Sequence, residues 1–78
     1  MKEKVKEYVK QELDKLLNGE AKEINLSGVY PQALYEILGD FEISEMETNG
    51  WQVDYWITTE KYEIEGSMFY GNAKITLV

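Results

Sequence analysis

Residues 51–78 read WQVDYWITTEKYEIEGSMFYGNAKITLV, and the period of that stretch decides the fold. Trp51, Val53, Tyr55 and Ile57 alternate with Gln52, Asp54, Trp56 and Thr58. Tyr62, Ile64, Gly66, Met68 and Tyr70 alternate with Glu63, Glu65, Ser67 and Phe69. Ala73, Ile75 and Leu77 alternate with Lys74, Thr76 and Val78. Successive side chains of a strand point to opposite faces, so a period of two predicts strands with one buried face. Just upstream, Phe41 and Ile43 alternate with Glu42 and Ser44 in the same way. Short links join these segments, which predicts a four-stranded antiparallel β-meander.

Turn chemistry sets the expected register. A two-residue turn at Asn49-Gly50 would place Met46 opposite Val53 and leave Phe41 and Ile43 on the wrong face. A three-residue loop, Thr48-Asn49-Gly50, with Gly50 in a left-handed bulge, places Ile43 opposite Tyr55 and Phe41 opposite Ile57. A slip of one residue exchanges the faces, so the apolar pattern selects the bulged loop. A two-residue Gly71-Asn72 turn sets Met68 opposite Ile75. Residues 58–61 close the middle hairpin with a less distinctive signal.

Before residue 41 the period is helical. Val5, Val9, Leu13, Leu16 and Leu17 form an apolar stripe over residues 2–18, with Met1 and Tyr8 beside it. Lys2, Lys6 and Lys10 make a solvated stripe, and Asn18-Gly19 stops the helix. Lys22 to Leu26 reads as a candidate short strand, broken by Ser27-Gly28. Pro31 opens a second helix running to Leu38, with Leu34, Ile37 and Leu38 inward and Gly39 as terminator. The expected architecture is a single α+β domain over residues 1–78. It is a two-layer sandwich, with two helices packed on one face of the meander. Val5, Val9, Leu13 and Leu34 should meet Tyr55, Ile57, Ile64 and Ile75.

Composition restricts the chemistry. The 78 residues include no His and no Cys, and all eight basic residues are Lys. Without imidazole or thiolate, Ser-His-Asp hydrolysis, cysteine proteolysis and zinc-knuckle binding are excluded. Without Arg there is no bidentate clamp for phosphate. The net charge is −7, distributed as +1 over residues 1–22 and −8 over residues 23–78. Such a body repels nucleic acid and acidic membranes and attracts basic surfaces. The N-terminus is charged throughout and no apolar run approaches the length of a membrane span, so a cytoplasmic protein with no membrane partner is expected.

The far face of the predicted sheet supplies the candidate site. In the expected register Glu42, Trp56 and Glu63 line up across strands. Asp54 lies opposite Glu65, a like-charge pair that costs stability, and Phe69 lies beside Lys74. Trp56 as apolar anchor, with Glu42, Asp54, Glu63, Glu65 and Phe69, forms the expected partner-binding set. A solvated sheet face is the plainer reading. No calcium-loop pattern is present and a flat face does not wrap an ion, so no metal and no cofactor are expected. A two-carboxylate glycosidase site needs a cleft that a sandwich of this size lacks.

The expectation is a non-enzymatic protein-binding module, monomeric or homodimeric, that docks on a basic protein surface without touching nucleic acid itself. In size, charge and lack of catalytic residues the chain resembles small phage- or mobile-element-encoded inhibitors that mimic nucleic acid. Those proteins block nucleic-acid enzymes, restriction and CRISPR effectors among them. The alternative is an assembly domain that self-associates through the last strand, Ala73 to Val78, which carries a single charge and would pair with a second copy if it were an edge.

Overall fold

The computed structural model describes residues 3–39 and 41–78. Helix α1 spans Glu3–Leu17 and buries Val9, Leu13 and Leu16. Leu17, expected on the same stripe, is exposed, because it lies about 100° around the helix from Leu16. The helix closes with the Glu20 N–H on the Lys15 carbonyl (2.8 Å) and the Gly19 N–H on the Leu16 carbonyl (3.2 Å). These paired bonds satisfy carbonyls left over at the last turn. Met1 and Lys2, assigned to this helix from sequence, lie outside the described residues.

Strand β1 spans Glu23–Ser27 and helix α2 spans Pro31–Leu38. The remaining strands are β2 (Ile43–Asn49), β3 (Gln52–Thr58), β4 (Tyr62–Ser67) and β5 (Asn72–Leu77). They form one antiparallel five-stranded sheet in the order β1-β5-β4-β3-β2. The α+β sandwich expected from the alternation is therefore present. The candidate short strand is real and lies antiparallel on β5. That pairing corrects the edge assignment of the last strand. β5 sits between β1 and β4, so it offers no free edge for self-association.

The core lies between the helices and one face of the sheet. Val9, Leu13, Leu16 and Leu34 from the helices bury against Ile24, Leu26, Tyr55, Ile57, Ile64 and Ile75. Tyr55 lies opposite Gly66 across the β3–β4 ladder. A methyl group at Gly66 would overlap the Tyr55 ring and come within 2.8 Å of the Asn72 carbonyl oxygen. Glycine is needed there so that the ring can lie flat on the neighbouring backbone. Among the described residues no helix is long and apolar enough to cross a membrane.

Register departs from expectation at each hairpin. Between β2 and β3, Asn49 pairs with Gln52, so the turn is Gly50-Trp51. Gly50 has φ +66° and Trp51 is not in the left-handed region. This is the glycine-first arrangement that matches strand twist in two-residue hairpins. The irregularity lies instead between Ile43 and Glu45, where Ser44 is the additional residue. Its hydroxyl accepts from the Thr58 N–H at 3.1 Å, replacing a ladder bond at the bulge. Ile43 therefore faces Ile57, not Tyr55, while Met46 faces Tyr55.

Between β3 and β4, Trp56 pairs with Glu65 and Thr58 with Glu63, two residues away from the expected pairing. The Thr59 hydroxyl accepts from the Tyr62 N–H at 2.9 Å and pins this turn. Between β4 and β5, Ser67 pairs with Asn72, and residues 68–71 form a four-residue loop. Ile75 consequently lies opposite Ile64, not Met68. Shifts of two and four residues preserve facing, so the apolar side of β3, β4 and β5 stays as the alternation implies.

Candidate functional site

The sheet face away from the helices is built by alternate residues of all five strands. One row reads Asn25, Lys74, Glu65, Trp56 and Glu45. The row on one side reads Ser27, Asn72, Ser67, Asp54 and Glu47, and that on the other begins Glu23, Thr76, Glu63 and Thr58. Carboxylates thus come from Glu23, Glu45, Glu47, Asp54, Glu63 and Glu65, and the strands contribute Lys74 as the cation on this face. Lys74 Nζ lies 3.6 Å from Glu65 Oε2, with both side chains about half exposed, so the pair is weak and screened by salt.

Trp56 lies half-buried on this open face between Glu45 and Glu65. An open hollow of about 420 Å³ surrounds it, lined by Glu45, Glu63, Glu65, Lys74 and Thr76 among others. Asp54 lies opposite Ser67 and Glu47 and accepts a hydrogen bond from Gln52 Nε2 at 3.1 Å. The expected Asp54–Glu65 opposition is replaced by Asp54–Glu47, a like-charge pair on the outer ladder.

Of the residues singled out from sequence, the structure brings Asp54, Trp56, Glu63 and Glu65 onto one surface. Glu42 precedes β2 and is not in the Trp56 row, because the Gly50-Trp51 turn sets Glu45 opposite Trp56, and the bulge at Ser44 comes only beyond that pair. Phe69 lies in the β4–β5 loop and not beside Lys74, because the loop is four residues long. There its ring meets Trp51 at a centroid distance of 4.2 Å and Tyr70 at 5.0 Å. Trp51, Phe69 and Tyr70 are 67%, 55% and 57% exposed. Tyr70 also lines a hollow shared with Gln52, Asp54 and Asn72. This aromatic end cluster therefore borders the acidic face.

Sequence reasoning missed Glu45 and Glu47 on the open face and Trp51 at its end. The signal available was Gly50, since a glycine-first turn expels Trp51 from the strand and sets Glu47 beside Asp54. Among the described residues no three His, Cys, Asp or Glu side chains come together in position to hold a metal ion. The arrangement can attract cations and bury an apolar contact at Trp56. Comparison with known proteins found no matching family model, no matching curated protein and no matching solved structure.

Proposed function

We propose that this chain is a non-enzymatic binding module that presents its open sheet face to a basic surface of a partner protein. The observation that supports this reading most is the composition of the row through Trp56. A half-buried indole is flanked on both sides by glutamates, with Asp54, Glu47 and Glu63 in the adjoining rows. Indole and aromatic groups concentrate binding energy at interface centres, and surrounding charge steers the encounter. The absence of His, Cys and Arg from the sequence favours recognition over catalysis.

A cationic groove shaped for nucleic acid is the partner surface that fits best, since it presents regularly spaced positive charge. The chain then acts as an inhibitor by occupying that groove in the cytoplasm, in the manner of a nucleic-acid mimic. The test is capture of the partner at low salt by the wild-type chain and by a variant with Asp54, Glu63 and Glu65 changed to Lys. Binding should fall steeply with salt and vanish in the variant. Affinity that ignores salt, or that survives Trp56→Ala combined with Asp54→Lys, would contradict the proposal.

A further inference from the structure

The outer strand β2 has properties that the acidic face alone does not explain. Every one of its residues is exposed, although the strand opposite carries buried Tyr55 and Ile57. On the helix side Met46 and Ile43 stand 51% and 38% exposed. Beyond Ile43 a hollow of about 520 Å³ opens towards α2, lined by Pro31, Tyr35 and Phe41. On the open face the same strand carries Glu45 and Glu47.

β2 ends the strand order, so among the described residues its outer side has no strand partner. A two-residue turn makes Asn49–Gln52 a hydrogen-bonded pair, and bonded pairs recur at every second residue. The pairs Thr48–Val53 and Met46–Tyr55 are then the non-bonded ones, whose peptide groups turn away from the partner strand. The Val53 carbonyl does so, accepting from the Met68 N–H at 2.9 Å on the far side of β3. By the same geometry the N–H and C=O groups of Met46 and Thr48 point outward from the sheet.

We infer that β2 takes up an extended segment of the partner as a further strand, and that this segment alternates Lys or Arg with apolar residues. The inference rests on the proposed recognition of a basic partner and adds how that partner is held. Backbone bonds to Met46 and Thr48 supply the pairing. Cations on one face of the segment meet Glu45 and Glu47, and apolar side chains on the other cover Met46 and Ile43 and reach the hollow by Phe41. Charge decides against a second copy as the occupant. Two β2 strands side by side would set the glutamates of each against those of the other, on chains that each carry a net −7.

The experiment titrates ¹⁵N-labelled protein with a capped peptide of about ten residues alternating Lys and Val. Two controls block outward pairing. One is the same peptide N-methylated at alternate residues, which leaves the protein untouched. The other is Thr48→Pro, which removes an outward N–H without removing a bond to β3. The expected result is saturable binding with amide shifts centred on residues 45–49, weakened about tenfold or more by each control. If both controls leave binding intact while Glu63→Lys with Glu65→Lys abolishes it, the strand-addition inference falls and the acidic-face proposal stands. Failure of the unmodified peptide to bind overturns the inference. So does a dimer of the free protein that Thr48→Pro disperses.

Discussion

The two edges of the sheet share an alternating pattern and meet different fates. β1 buries Ile24 and Leu26 under the helix layer and exposes Glu23, Asn25 and Ser27. β2 has apolar side chains on the helix side too, yet none of its residues is buried. The difference comes from where the helices lie. α1 packs on β1 and against α2, and the helix layer stops short of β2. A strand's own sequence specifies which side chains share a face, whereas burial of that face depends on what covers it. The covered edge is therefore structural, and the bare edge is available for recognition.

The sharpest contrast should appear in stability. Leu26→Ala at the covered edge removes a side chain that is 1% exposed and should cost about 2–5 kcal/mol. Met46→Ala at the bare edge should change stability by less than about 0.5 kcal/mol. Urea midpoints of the two variants measure the difference, and equal losses would mean that β2 is covered in solution.

Gly66→Ala probes the covered half from within. The added methyl would overlap the Tyr55 ring, so either the ring or the β3–β4 ladder must shift, at roughly 1–3 kcal/mol. Denaturant unfolding checks this, and a neutral result would show that Tyr55 does not lie over Gly66.

Tyr55 also predicts an alkaline limit. Burial pushes its pKa up from 10.0 to about 12, and among the described residues its buried hydroxyl has no hydrogen-bond partner. Between those values the unfolded chain has released the phenolic proton and the folded chain retains it. The contribution is therefore whole below pH 10 and is lost as pH rises towards 12. Stability should fall in that window by at most about 1.4 kcal/mol for each pH unit. Tyr55→Phe should flatten the profile and leave neutral-pH stability unchanged or higher, because it removes an unpaired buried hydroxyl. Melting curves across that pH range are the measurement.

The smallest effect concerns the bare half. Glu47→Lys converts the Glu47–Asp54 opposition into an attractive pair and should stabilise by roughly 0.2–1 kcal/mol. The same change should weaken binding to a basic partner. A gain in stability together with lost binding would mark Glu47 as a residue kept for recognition.

The alternation of Tyr55, Ile57, Ile64 and Ile75 made the helix-facing side of the inner strands legible from sequence. Facing depends on local period alone, and even shifts of register leave it intact. Register was less legible because it depends on how glycine-containing loops close. Gly50 serves as the first residue of a two-residue turn and Gly71 as the last of a four-residue loop. Neither use follows from the Asn-Gly or Gly-Asn pair by itself. Trp51 and Phe69 look like strand residues because aromatic side chains favour strands, and their tilted ring contact at the sheet end depends on tertiary placement. The bulge at Ser44 had no glycine to announce it. The loop read as Thr48-Asn49-Gly50, where the structure turns at Gly50-Trp51, is what set Glu42 and not Glu45 beside Trp56 in the expected register.

The most direct test of the acidic face as the recognition surface is the indole N–H resonance of Trp56, assigned with Trp56→Phe and followed on addition of hexalysine. The account predicts a saturable shift of that signal, with the Glu45, Asp54 and Glu65 amides moving alongside it. All of these shifts should disappear near about 0.5 M salt. An unmoved Trp56 signal while amides of α1 shift would contradict it.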